Sequence, residues 1–360
     1  MPGPLLRVGV VGLGMGKEHV KGYRSHPGAE VVAMADTDPG RLNKAGEEFG
    51  IAGLYPSLDA MLEAEKLDVV SIATPNSLHR PLAIRALEAG CHVLCEKPMA
   101  PNAQDGRAMV EAARRAGRRL MINFSFRFKP QSLALKQLVS EGVLGDVYFA
   151  RTIWHRRRGI PFLGGWFGRK ELAGGGPLID LGVHRLDLAL WLMGYPRPTW
   201  VLARTYNHRG SAHAAEIGAA FDVEDLAVGL ITFDNGATLE IEASWMVHQA
   251  ESDRMETRLY GTKGGLVQRN KGENYEFEAE VYRDLGGIPH DLKIDPHPVR
   301  NYGDAEPPQP TAMYHFIDAI RHDRPHPAPA EEGLLVTEIL DALYRSADEG
   351  RPIELTAPSA

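Results

Sequence analysis

Asp180, His184 and Asp187 stand at i, i+4 and i+7 in a run, residues 174–194, whose other members are almost all apolar. Pro177 suits the first turn of a helix and Gly194 suits its end. On that helix the three polar residues form one stripe, with Arg185 off it. A polar stripe on a buried helix is expected to face a cleft, because an unpaired buried carboxylate is costly. An imidazole there could take or give a proton near neutral pH. Gly182 in mid-helix costs roughly 1 kcal/mol against Ala, which is tolerable if something must approach the backbone. Taken alone, the stretch also fits a core helix whose Asp and His satisfy each other.

The elements upstream read as a nucleotide platform. Leu6–Val11 is a valine-rich run expected to form a buried parallel strand. It runs into Gly12-Leu13-Gly14-Met15-Gly16, with a helix expected from about Lys17. Strand, glycine loop and helix N-terminus together favour a pyrophosphate. The spacing departs from G-x-G-x-x-G, since Lys17 stands where the third glycine would be and Gly16 comes one residue early. Residues 30–35 read as a second strand ending at Asp36. An acidic residue there can accept from ribose hydroxyls and repels a 2′-phosphate, which favours NAD over NADP. Asp38-Pro39 supply the cap and first turn of the next helix, which frees Asp36 for a ligand.

The alternation continues through strands at 68–73, 92–95 and 120–123, with helices between, and predicts a doubly wound parallel sheet. In such sheets ligands bind beyond the carboxyl ends of the strands. Gly12, Gly14 and Gly16, then Asp36, then Thr74, Pro75 and Asn76, then Glu96, Lys97 and Pro98, and finally Asn123 all follow strand ends. Lys97 is fixed by Pro98 and can hydrogen-bond a substrate hydroxyl. A surface lysine paired with Glu96 is the plainer alternative.

After residue 124 the character changes. Residues 132–141 read as a helix. Strands are expected at 146–156, 198–206, 224–233, 238–246 and 257–261, with Asp234-Asn235-Gly236 as a hairpin turn. These predict an α+β domain over 125–360 with an open, mainly antiparallel sheet, beside an α/β domain over 1–124. The 174–194 helix would cover one face of that sheet and a second subunit the other. Residues 286–310 read as a long loop, and helices at about 312–322 and 331–348 close the chain. Trp154, Arg156 and Trp166 are candidate sugar contacts, because aromatic faces stack on sugar C–H faces and Arg donates to hydroxyls. A solvated basic loop over packed Trp is the competing reading.

Bulk properties set limits. A chain of 360 residues is too long for one ordinary core. A net charge of −7 argues against nucleic acid as the main partner. No apolar run has membrane-spanning length and the start has no signal-peptide core, so a cytoplasmic location is expected. Cys91 and Cys95 fit neither a disulfide framework nor a zinc site. His290, His297, His322 and His326 lack metal-ligand spacing and are expected on loops, so no metal is expected.

Several of these residues together resemble the glucose–fructose oxidoreductase, inositol dehydrogenase and rhizopine catabolism family, written Gfo/Idh/MocA. They are the glycine loop with His19, Asp36, Thr74-Pro75-Asn76 with His79, and Glu96-Lys97-Pro98. Asn123, Phe126-Arg127 and Gly174-Gly175-Gly176 leading to Asp180, His184 and Asp187 complete the set. The resemblance covers nearly the whole chain. It implies a nicotinamide-dependent oxidoreductase acting on sugars, sugar derivatives or cyclic polyols such as inositols, with Lys97, Asp180 and His184 catalytic. It further implies a cofactor site of Gly12, Gly14, Met15, Gly16, Asp36, Thr74, Pro75, Asn76, His79, Glu96, Lys97 and Asn123. With the contacts read from residue chemistry, the expected substrate site is Lys97, Arg127, Trp154, Arg156, Trp166, Asp180 and His184, and the resemblance implies a homodimer or homotetramer formed through the second sheet. In this reading His184 is the base, Asp180 positions it and the substrate, and Lys97 stabilises charge on the reacting oxygen. The alternative is an NAD-dependent glycosidase or lyase that oxidises its sugar only transiently. A non-catalytic nucleotide sensor would not need Lys97, Asp180 and His184 together.

Overall fold

The computed structural model describes residues 4–273, 275–295 and 311–355. The chain divides into two compact units, one of Met1–Ser125 with Ala305–Thr337, the other of Phe126–Asp304 with Glu338–Ala360. The junction at Ser125/Phe126 lies one residue from the expected boundary. The segment ending at Thr337, expected to stay with the second domain, instead returns to the first.

The first unit alternates strand and helix: β1 (Leu6–Val11), α1 (Gly16–Arg24), β2 (Ala29–Ala35), α2 (Pro39–Phe49), β3 (Gly53–Tyr55), α3 (Leu58–Ala64), β4 (Val69–Ile72), α4 (His79–Glu88), β5 (His92–Cys95), α5 (Ala103–Ala116) and β6 (Leu120–Ile122). The strands form a parallel sheet in the order β3-β2-β1-β4-β5-β6, the doubly wound order of dinucleotide-binding folds. Helices cover both faces, so Val8, Val10, Val69, Val70, Ile72, Val93 and Leu94 are fully buried. Local chemistry sets the helix ends as read from the sequence. The Asp38 side chain accepts from Arg41 N at the start of α2, and Asn102 from Asp105 N at the start of α5. Gly50 and Gly117 end these two helices with φ of 61° and 59°.

The second unit opens with α6 (Pro130–Ser140), β7 (Val147–Arg156) and α7 (Lys170–Ala173). A π-helical turn, Leu178–Gly182, then leads into α8 (Val183–Met193). It continues through β8 (Pro198–Tyr206), α9 (Arg209–Glu216), β9 (Leu226–Phe233), β10 (Thr238–Ser244), β11 (Asp253–Gly261), β12 (Gly265–Asn270), β13 (Phe277–Leu285) and β14 (Ile288–Lys293). Helix α10 (Ala312–Arg321) then returns to the first unit, α11 (Ala330–Glu349) begins in the first unit and ends in the second, and β15 (Ile353–Glu354) closes the second. The sheet runs β14-β13-β12-β11-β7-β10-β9-β8-β15 and is antiparallel except at the β7–β10 pair. The Asp234-Asn235-Gly236 hairpin forms as expected, closed by Phe233 N on Ala237 O at 3.0 Å.

The expected loop at 286–310 is corrected in its first part. Gly286 and Gly287, with φ of 62° and 79°, make a two-residue turn, and β14 pairs back on β13. The rest, including His297, lies outside the described residues. β12, β13 and α9 were not expected. Helix α10 belongs to the first unit because Met313 and Tyr314 pack on α1 and the turn after it, Met313 against Gly22 and Tyr314 against His26 at 4.5 Å between rings.

Candidate active site

In the first unit the glycine loop divides its labour by position. Gly12 has φ +83°, and a Cβ there would lie 2.5 Å from Ala73 O. Only glycine makes that turn. A Cβ on Gly14 would meet nothing within 4 Å, so the backbone is open to a ligand there. A Cβ on Gly16 would stand 3.0 Å from Val10 Cγ1, so Gly16 sets the packing of α1 on β1. The departure from the usual spacing therefore keeps all three functions. Met15 gives α1 no side-chain cap, which leaves first-turn N–H groups for an anion. Asp36 accepts from Leu13 N at 2.8 Å and Asp38 N at 2.9 Å, tying the second strand's end to the loop.

Two buried polar atoms at strand ends have no partner among the described residues, Thr74 Oγ1 and Asn123 Oδ1. Buried polar atoms are rarely left so. Together with the open Gly14 backbone and the uncapped α1, they fit a bound dinucleotide.

Glu96 and His79 are engaged inside the protein. Glu96 Oε1 lies 2.7 Å from His19 Nε2 and accepts from Asn123 Nδ2 at 2.6 Å, and Oε2 accepts from Lys97 N at 3.2 Å. His19 Nδ1 lies 2.7 Å from Ser71 Oγ, to which Tyr23 OH donates at 3.2 Å. Burial alone would raise the Glu96 carboxyl pKa. The hydrogen bonds and charge from His19, with help from Asn123 and Lys97, bring it below its ordinary value. His79 is fully buried, with its ring nitrogens 2.8 Å from Pro98 O and 3.0 Å from Thr74 O. It joins two strand-end loops from behind. Burial lowers its pKa, partly offset by the two carbonyls. Lys97 is half-buried at the end of β5, in a cis peptide with Pro98.

In the second unit the helix stretch is as the sequence reading requires at two positions and not at a third. From Gly175 to Leu192, only Asp180 and His184 are not buried. Asp180 accepts from the indole N–H of Trp245 at 2.9 Å. His184 packs against Phe126 and Trp154, with ring centroids 4.9 and 5.6 Å away. Asp187, expected on the same open stripe, is buried instead. It accepts from Arg127 Nε at 2.9 Å and Tyr195 OH at 2.6 Å. Burial raises its pKa, partly offset by Arg127 and Tyr195. The π-turn displaces it, since an extra residue in one turn rotates the later residues away from a regular i, i+7 stripe.

Arg127 was expected to touch substrate. Its side chain is 1% exposed and donates to Asp187 and Tyr195. Trp154 is likewise buried, its indole N–H donating to Asp253 at 2.8 Å. Arg156 lies over the Trp154 ring and donates to Tyr275 OH at 3.1 Å. Trp166 stays partly exposed, stacked on Phe167 at 3.8 Å. Gly182 admits no ligand. A Cβ there would meet Leu178 Cδ1 at 3.1 Å and Ala243 at 3.3 Å, so the close approach is that of β10.

Three features escaped the sequence reading. Trp245 holds Asp180. Glu224 accepts from Gly176 N at 2.8 Å, Leu178 N at 3.1 Å and Tyr344 OH at 2.8 Å, capping the π-turn. Arg185 is buried over the Phe126 ring at 4.9 Å and Phe277 at 5.1 Å, and burial lowers its pKa to about 9. Among the described residues no His, Cys, Asp or Glu group could hold a metal, and no helix is long and apolar enough to cross a membrane.

Residues 6–124 match the model of the GFO/IDH/MocA oxidoreductase family, NAD-binding Rossmann fold, and residues 132–267 match that family's C-terminal domain. The chain is 34% identical to the D-glucoside 3-dehydrogenase of Escherichia coli K12, over 97% of each chain. It resembles the crystal structure of aldose-aldose oxidoreductase from Caulobacter crescentus complexed with glycerol, at 29% identity and a TM-score of 0.80, covering 98% of this chain and 100% of that one. It also resembles a levoglucosan dehydrogenase in complex with NADH, at 25% identity and a TM-score of 0.83, covering 98% and 99%.

Proposed function

Because the chain belongs to the GFO/IDH/MocA oxidoreductase family, we propose that it is an NAD-dependent dehydrogenase. Its substrate is a secondary alcohol of a sugar, sugar derivative or cyclic polyol. The observation that carries this is the pair Asp180 and His184, the two accessible side chains on an otherwise buried helix stretch. The nicotinamide, when bound, supplies the hydride acceptor. His184 removes the hydroxyl proton as general base. Asp180, held by Trp245, orients the substrate and the base. Lys97 donates to the reacting oxygen and stabilises the charge that develops there. Gly14, the first turn of α1, Thr74 and Asn123 bind the dinucleotide, and Asp36 takes the ribose.

The family resemblance and the outer sheet face support a homodimer or homotetramer. Leu202, Leu230, Phe149 and Tyr260 lie on that face beside the Arg151–Glu240 and Arg258–Glu256 pairs. Two free, buried cysteines suit the reducing cytoplasm.

The test is absorbance at 340 nm with NAD or NADP and a panel of inositols, hexoses, anhydrosugars and glycosides. A rise with NAD on one class is expected. His184→Ala should lower kcat by about 10²- to 10⁴-fold with the NAD dissociation constant unchanged. Release of an aglycone with no net NADH would overturn the dehydrogenase reading in favour of a redox-cycling glycosidase.

A further inference from the structure

We propose that the loop between β7 and α7 forms an outer subsite for a second ring, so that the preferred substrates are two-ring glycosides rather than methyl glycosides. The proposal rests on the dehydrogenase reading above and names its substrate class.

An aromatic ladder leads from solvent to the site. Phe162 is 82% exposed and stacks on Phe167 with 6.4 Å between centroids and 24° between planes. Phe167 stacks on Trp166 at 3.8 Å and 25°. It also meets Trp245 edge-on at 6.5 Å, and Trp245 donates to Asp180. The buried end is anchored by Phe221 against Trp245 at 6.3 Å. The outer end is a flat, accessible aromatic surface three rings from the Asp180 carboxylate.

Two unfavourable choices coincide at Phe162. It exposes a large apolar ring, and its backbone has φ 42°, a region that glycine or asparagine occupies at little cost and a bulky residue does not. The neighbouring turn uses glycine where it needs it: Gly164 has φ +90°, and Gly165 N bonds Phe162 O at 2.6 Å. Stability would favour glycine at 162 as well. Strain at an exposed aromatic residue beside a site is the pattern of a group kept to meet a ligand. The chemistry that suits it is a ring with an apolar face, either an aryl aglycone or the C–H face of another sugar. A methyl glycoside held at Asp180 and His184 has no such second ring.

The experiment compares phenyl glucosides of both anomers, cellobiose and maltose with the methyl glucosides, by kcat/KM and by quenching of tryptophan fluorescence. The wild-type protein should prefer at least one two-ring compound by about tenfold, the worth of one stacked ring pair. Phe162→Ala should bring that ratio near one. Phe162→Gly should lose the preference while keeping or raising Tm, because it relieves the strained φ. Retention of the preference in Phe162→Ala, absence of any preference in the wild type, or a lowered Tm in Phe162→Gly would overturn the subsite. If no compound yields NADH, the dehydrogenase reading fails, and the fluorescence titration still decides the subsite.

Discussion

The indole N–H of Trp245 donates to Oδ2 of Asp180 over 2.9 Å, from a ring that is fully buried. A half-exposed carboxylate is thereby held by a side chain that cannot itself move. Phe126, Trp154, Leu181, Val223, Met255 and Phe277 pack in the same cluster, so the position of Asp180 is set by the core of the second unit.

Trp245→Phe keeps an aromatic ring and removes the hydrogen bond. We expect kcat on the sugar to fall by about tenfold, the order of a lost hydrogen bond to a charged group, with NAD affinity unchanged. Steady-state kinetics on the variant would refute the role of Trp245 if kcat stayed at the wild-type value.

Gly14→Ala separates binding from folding. Nothing in the protein lies within 4 Å of the added methyl group, and φ at this position does not demand glycine. Urea unfolding should shift by less than about 0.5 kcal/mol, the usual range at sites without special contacts. The NAD dissociation constant should rise at least tenfold, since the backbone must approach a pyrophosphate closely. Unchanged NAD binding by calorimetry would show that the cofactor lies elsewhere.

Much of the fold is legible in the sequence because parallel strands declare themselves. Residues buried on both faces form continuous valine-rich runs, and their polar exits mark the ligand edge. The Asp38 cap and the Asn235-Gly236 turn are local chemistry, and local sequence suffices to find them. The features that escape the sequence depend on distant partners. Arg127 and Asp187 are 60 residues apart and Trp245 and Asp180 are 65 apart, and nothing in the spacing pairs them. Strand β14 is exposed on both faces for most of its length, so it lacks the alternation that betrays a strand. The π-turn is equally silent in sequence, and with the Arg127 pairing it separates Asp187 from the stripe of Asp180 and His184.

Glu96 makes stability depend on pH in a defined direction. Its folded pKa lies below the ordinary 4.5. Its contribution is therefore present above that value and is lost as pH falls through the folded pKa. Glu96→Gln lacks the titrating group. The stability gap between wild type and variant, from urea unfolding, should be largest near pH 7 and should narrow as pH drops below about 4.5. A gap constant from pH 7 to pH 3 would contradict the network around His19 and Asn123.

Arg127 and Asp187 test whether a residue marked by the family resemblance touches sugar or holds the fold. Both side chains are 1% exposed, so removing either leaves the other charged and buried. Asp187→Ala should cost about 3–5 kcal/mol in urea unfolding. The paired change Arg127→Met with Asp187→Leu removes both charges and fills similar volume, and it should recover most of that loss. A substrate contact predicts another outcome: the double variant would fold well yet show a KM for sugar raised tenfold or more. The structure favours recovery of stability with KM within about twofold, because the Arg127 side chain is 1% exposed and already donates to Asp187 and Tyr195.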